Sequence, residues 1–272
     1  MTLINNKYEI LNKIGSGSFG SIYKGQNRRT NDFVAIKVEP IINDLKLLKN
    51  ESRIYQYLND CDCIPKIKWY GKDDINYYMV IDFLGDSLQD LMNKSRRLPL
   101  ILILKLGIKL INILKIIHDK GLVHRDIKPD NFLFGFNQIN NVYLIDFGFC
   151  KSYMNNGEHI KCKKINSMIG SKNYASINSH NKLELSRRDD LESLCYILLY
   201  FYLGSLPWNS IEDESQIIHL KNNVVYCLEY PSVILHFLKY VKSFDYEEKP
   251  NYYLMIDNFM KEIEILSKNS KK

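Results

Sequence analysis

A chain of 272 residues, 46% hydrophobic and 25% charged, has the apolar content to bury a sizeable core, which excludes disordered, collagen-like and disulfide-scaffold proteins. The formal charge of +6, from 37 Lys and Arg against 31 Asp and Glu, mildly favours anionic partners such as a nucleotide or an acidic peptide; a specific nucleic-acid surface is not expected. Six cysteines, at 61, 63, 150, 162, 195 and 227, lack the paired spacing of a zinc site, and nothing at the N-terminus reads as a secretory signal, so reduced thiols and an intracellular, cytoplasmic or nuclear location are expected.

In chain order, residues 8–15, 21–27 and 33–39 read as β-type segments. The first two are joined by Gly15-Ser16-Gly17-Ser18-Phe19-Gly20. Gly15, Gly17 and Gly20 would let backbone N–H groups approach phosphate oxygens with no Cβ in the way. A dinucleotide site would need a helix immediately afterwards, whereas residues 21–24 continue as strand. The third segment holds Val34-Ala35-Ile36-Lys37, whose ammonium is suited to the α- and β-phosphates of ATP if a carboxylate orients it. Residues 45–58, apolar at 47, 48, 54, 55 and 58, read as a helix that leaves Glu51, fourteen residues after Lys37, to play that part.

Further β-type segments at 67–71 and 77–83 lead to an extended hinge at 82–85, beside which the ligand cleft is expected. Beyond about Leu84 the pattern turns helical, at 87–95, 98–118, 188–203, 215–220, 231–241 and 251–266. The apolar run 98–104 is interrupted by Lys105 and Lys109, short of the roughly 18 residues a membrane span needs, and reads as part of an amphipathic core helix. A single α+β domain over 1–272 is expected, with a β-rich part to about residue 84 and a helical part from 85.

Between the helices lies His124-Arg125-Asp126-Ile127-Lys128-Pro129-Asp130-Asn131, followed by Asp146-Phe147-Gly148. A lone Asp is usually a cap or a turn former, but this spacing supplies a base, Asp126, and two magnesium ligands, Asn131 and Asp146. Lys128 is placed to lie against a moving phosphoryl group. His124 reads as a packing residue in company with Tyr55 and Phe147. An adenine ring would lie among Ile14, Ile22, Ala35, Leu133, Ile145 and Ile81, its edge fixed by backbone groups near Asp82 and Leu84.

Several longer strings narrow the pattern. Ile64-Pro65 with Ile67-Lys68-Trp69, Leu84-Gly85 with Ser87-Leu88, Ser176-Ile177-Asn178 where most protein kinases have Ala-Pro-Glu, the run Ser186-Arg187-Arg188-Asp189-Asp190-Leu191-Glu192-Ser193, and Gly204-Ser205-Leu206-Pro207-Trp208 resemble the casein kinase I family. The likeness covers about residues 8–260. It implies the bilobal protein-kinase fold, a small β-rich N-lobe and a larger, mainly helical C-lobe, with ATP and Mg2+ as cofactors. It also implies a monomer acting on Ser and Thr hydroxyls of protein substrates. Lys128 follows the serine/threonine pattern, since tyrosine kinases normally place small residues and an Arg in this loop. Asp190 would brace the catalytic loop, and Ser167 and Ser171 need not be switches.

The resemblance breaks at Asn173, where the family typically has an Arg of a basic pocket for acidic or previously phosphorylated substrates. Lys161, Lys163, Lys164 and Lys172 rebuild a positive surface on one reading and are merely solvated on the other, and 212–214 adds acid nearby. Cys195 replaces a usual Gly. A catalytically silent scaffold is disfavoured because Lys37, Asp126 and Asp146 are all present.

Overall fold

The computed structural model describes residues 3–17, 20–41 and 47–269. Ser18 and Phe19 of the glycine-rich loop, and residues 45 and 46 of the predicted helix, lie outside them. The chain forms two compact units, one drawn from the residues up to Ser87 together with Phe132–Gly148, the other from Leu88–Asn131 and the residues from Phe149 onward.

The first unit is built on an antiparallel sheet of β1 (Leu3–Ile4), β2 (Tyr8–Gly17), β3 (Gly20–Asn27), β4 (Phe33–Pro40), β5 (Ile67–Lys72) and β6 (Asn76–Asp82), in the order β1-β2-β3-β4-β6-β5. Alternation along β4 and β6 sorts side chains to two faces. Val34, Ile36, Tyr78 and Val80 join Ile4 and Tyr8 in a buried cluster. Registers Ile22↔Lys37, Lys37↔Met79 and Ala35↔Ile81 put Ile22, Ala35, Lys37, Met79 and Ile81 together on the other face. Helix α1 (Leu47–Tyr57) buries Leu48, Glu51, Ser52 and Tyr55, a stripe at i, i+3, i+4 and i+7 that turns a carboxylate inward.

The expected hinge at 82–85 differs from what forms. Asp82 closes β6, and β7 (Leu84–Ser87) is a paired strand, joined to Phe132–Gly135, which in turn pairs with Gln138–Leu144. The pairs Leu84↔Gly135 and Ser87↔Leu133 return a distant segment to this unit.

The second unit is mainly helical: α2 (Leu88–Ser95), α3 (Leu100–Asp119), α4 (Ile177–His180), α5 (Arg187–Leu203), α6 (Glu214–Asn223), α7 (Ser232–Lys242) and α8 (Tyr252–Asn269). All but the one-turn α4 follow the predicted periodicity within a few residues. Helix α5 is buried on every side, from Asp189 to Leu199 without a break, and packs against α3 and α7. It ends at Gly204, whose φ of 83° suits a residue without a Cβ. Helices α3 and α8 approach closely enough that a Cβ on Gly107 would lie 2.6 Å from the Phe259 ring. Among the described residues, no helix is long and apolar enough to cross a membrane.

Candidate active site

The predicted site residues fall into two sets, one in each unit. In the first unit, strand β4 presents Lys37 on the face away from the buried cluster, and α1 turns Glu51 toward it. The Lys37 Nζ lies 2.7 Å from Glu51 Oε2 and 3.1 Å from Asp146 Oδ1. Glu51 is 3% exposed. Burial alone would lower the Lys37 pKa, but the two carboxylates outweigh it and hold the ammonium above its ordinary value. The Glu51 carboxyl is pushed up by burial and by Asp146, with Lys37 pulling the other way. The arrangement is a fixed cation between two carboxylates, one from a helix and one from a loop.

Asp146 is held by its backbone. Its φ of 63° is rare for a non-glycine residue, and its N–H donates to the Tyr55 hydroxyl at 3.2 Å. Tyr55 meets the Phe147 ring edge-on at 5.1 Å, and both rings are buried.

Of the predicted adenine contacts, Ile22, Ala35 and Ile81 are half-buried on the face that carries Lys37, and Ile14 on β2 is exposed. Leu84 and Leu133 are half-buried in the three-stranded sheet, and Ile145 precedes Asp146 in the chain. The Asp82 side chain does not join them. It lies on the opposite face, where it accepts the Lys66 N–H at 2.8 Å and pairs with Lys68 at 2.7 Å; its own N–H donates to the Lys66 carbonyl at 3.1 Å, so neither its side chain nor its N–H is left for a ligand edge. A cavity of about 710 Å³ opens on that side, beside Phe33, Asp82, Leu84 and Tyr143, and Lys37, Glu51 and Asp146 take no part in it.

In the glycine-rich loop, a Cβ on Gly20 would run into the Val38 carbonyl, whereas one on Gly15 would meet only Ile22 at an ordinary 3.9 Å. Close backbone packing therefore requires glycine at 20. At 15, glycine leaves open space on the strand pair.

In the second unit, Asp126 is 4% exposed and fully engaged. Its Oδ1 accepts the Ser171 N–H and the Ser171 hydroxyl, both at 2.8 Å, and its Oδ2 lies 2.7 Å from the Lys128 Nζ. The Asn131 amide donates to the Asp126 carbonyl at 2.8 Å, which fixes which end of that side chain is nitrogen. The Ser171 contact has no signature in local sequence, because the partners are 45 residues apart. It depends on Gly170, at φ 91°, where a Cβ would lie 2.6 Å from the Arg125 carbonyl.

Asp190 braces this loop from α5. It accepts the His124 N–H and the Arg125 N–H, each at 2.8 Å, and lies 2.9 Å from His118 Nε2. Burial would raise its carboxyl; the hydrogen bonds and charge from His118 and His124 overcome that and hold it below the ordinary Asp value. Arg125, itself at φ 70°, donates to the Phe149 carbonyl at 2.7 Å and reaches Glu184 at 3.4 Å, and Lys151 meets the same carboxylate at 2.7 Å.

Two of the longer sequence strings meet in space. Asp189 accepts from the Ser176 hydroxyl at 2.7 Å and the Asn178 amide at 2.9 Å, and Glu192 accepts the Ile177 N–H at 3.0 Å. The segment at 176–178 is thereby fastened to α5 by buried acceptors.

Taken separately, the first set can hold polyphosphate beside a carboxylate suited to a hard cation. The second can orient a hydroxyl and accept its proton. The family model of the protein kinase domain matches residues 8–270 of the chain.

Proposed function

This chain belongs to the protein kinase domain family, and from that premise we propose a serine/threonine protein kinase of the casein kinase I type, transferring the γ-phosphate of ATP to hydroxyls of protein substrates. The observation that carries the reading is Lys128 Nζ at 2.7 Å from Asp126 Oδ2, a cation beside the base where a phosphoryl group would leave its charge. In this reading Asp126 orients the acceptor hydroxyl and takes its proton, while Ser171 and Lys128 keep both carboxylate oxygens aligned. Lys37, steadied by Glu51, binds the α- and β-phosphates, and the residues around Gly20 cover them. Asp146 and Asn131 would hold Mg2+, a carboxylate and an amide oxygen being hard ligands; when bound, the ion neutralises charge on the phosphates. Positioning and electrostatics supply the acceleration.

The fastening of 176–178 by Asp189 and Glu192 supports the casein kinase I assignment, because it gives a physical use to the two strings that carry the resemblance. For substrate choice, the Lys172 Nζ donates to the Glu212 carbonyl at 2.8 Å and the Asn173 amide to Asn209 at 2.6 Å. Lys172 keeps its charge and two further donors, so any preference for acidic or phosphorylated substrates would fall to it together with the exposed Lys161, Lys163 and Lys164.

The test is transfer from labelled ATP and Mg2+ to casein, acidic, phosphate-primed and basic peptides, followed by identification of the modified amino acid. Phosphoserine or phosphothreonine is expected, and phosphotyrosine alone would overturn the assignment. Asp126→Asn should leave ATP affinity within about twofold and lower turnover by about 10²–10⁴.

A further inference from the structure

Lys221, on α6, is fully buried, and each proton of its ammonium has an acceptor: the Ala175 carbonyl at 2.6 Å, the Lys172 carbonyl at 3.0 Å and His180 Nε2 at 3.0 Å. An ammonium has three N–H donors and no acceptor, so His180 must be neutral with its other nitrogen protonated, and Glu214 accepts from that Nδ1 at 3.0 Å. Burial and the neighbouring Lys221 charge both lower the His180 pKa, which agrees with the neutral ring.

The residues so held form a short stretch of backbone secured on several sides. Trp208 Nε1 donates to the Asn173 carbonyl at 2.8 Å, so the carbonyls of 172, 173 and 175 are all taken by buried side chains. The same stretch begins at Ser171, the residue that grips Asp126. Lys221 also lies over the Tyr196 and Trp208 rings, 4.9 and 5.4 Å from their centroids, within the range of a cation–π contact.

We propose that Lys221 is a positioning residue for the protein acceptor: its ammonium fixes the backbone of 172–175 against α5 and α6, so that neutralising it weakens acceptor binding and leaves ATP binding unchanged. The proposal rests on the kinase reading and extends it to substrate positioning.

The groups facing Lys221 make its charge sensitive to pH. Glu192 and Tyr196 face it from α5, Lys242 from α7, His180 from the fastened segment, and Glu214 stands behind His180. Burial pulls the Lys221 pKa down to about 7, Glu192 opposing and Lys242 adding to the fall. A neutral amine has two N–H groups and a lone pair, so deprotonation removes one of the three bonds. The sign for stability is opposite. A lysine whose folded pKa lies below its unfolded value makes the fold more stable as pH rises between the two, so loosened acceptor binding at alkaline pH would not be unfolding.

The experiment measures KM for a serine peptide without groups titrating in the range, and KM for ATP, from about pH 6 to about pH 9. For the wild-type chain the acceptor KM should rise about tenfold, the value of one charged hydrogen bond, with ATP KM within about twofold. Lys221→Met should show the raised acceptor KM already at neutral pH and no further rise. A flat wild-type acceptor KM, acceptor and ATP KM rising together, or a thermal midpoint that falls in step with the rise would each overturn the proposal. If Lys221→Met does not fold, the wild-type series decides. If no acceptor is phosphorylated at all, the kinase reading fails, and hydrogen exchange still decides the fastening. The Tyr174 and Ala175 amides, both bonded to the Ser171 carbonyl, should exchange about tenfold faster at the alkaline end once intrinsic rates are removed; unchanged protection would overturn it.

Discussion

At the scale of single residues, the first set turns on one ammonium shared by two carboxylates. Lys37 is 13% exposed in its side chain and Glu51 3%, so the pair is shielded from screening and its geometry is stiff. Glu51→Gln keeps the volume and removes the charge. Lys37 then falls to Asp146 alone, which draws it toward the carboxylate proposed for the metal. The expected outcome is a loss of about 10- to 100-fold in kcat/KM for ATP, read from initial rates, with the chain still folded. Equal activity of the variant would remove Glu51 from the site. Lys37 and Glu51 were legible in the sequence because the strand and the helix that carry them have clear periods. The Asp126–Ser171 bond was not, since only tertiary structure brings those residues together. Nor was the positive φ of Asp146, because an Asp in a loop is compatible with several conformations.

Among the elements, α1 matters most, because it delivers Glu51. Its first turn is fastened by Glu39, 2% exposed on β4, whose Oε2 accepts the Leu48 N–H at 2.7 Å. A carboxylate there satisfies a helix N–H and opposes the positive end of the helix dipole. Glu39→Ala should cost about 1 kcal/mol in urea unfolding and lower kcat/KM for ATP less than Glu51→Gln does, since the helix loses an anchor while the ion pair survives. An unaltered urea midpoint would show that the bond does not stabilise α1. The long helices were readable from the 3.6-residue spacing of their apolar side chains. The hairpin of Phe132–Gly135 and Gln138–Leu144 was not. Its first arm is too short an apolar run to declare a period, and its second carries a register shift between Gln138 and Val142 that breaks the alternation.

Across the whole molecule, ionisable groups are buried unevenly, and α5 carries a dense set of them in the second unit. Asp189 and Asp190 are neighbours in sequence with opposite behaviour. Burial raises Asp189 to about 6, while Asp190 is held low by His118 and the amides of His124 and Arg125. A raised carboxyl costs stability once it ionises, so Asp189 is relieved as pH falls through about 6. A depressed carboxyl stabilises above its unfolded value, about 3.9 for Asp, and that stabilisation is lost as pH falls through the lower folded value. On the acid side, the second unit should therefore gain stability as pH falls from about 6 toward about 4 and weaken steeply below about pH 4, apart from the gain that Lys221 brings above about 7. The two tryptophans allow this to be read separately, because Trp69 lies on β5 of the first unit and Trp208 is fully buried in the second. In a Trp69→Phe background, Trp208 fluorescence in urea should show that pH profile. Adding Asp190→Asn should remove about 3 kcal/mol at neutral pH and flatten the acid limb, because the loop amides lose a charged acceptor whatever the pH. An acid limb as steep in the double variant as in its parent would mean that other carboxylates govern the unit, and that Asp190 braces the loop at His124 and Arg125 without controlling the unit's stability.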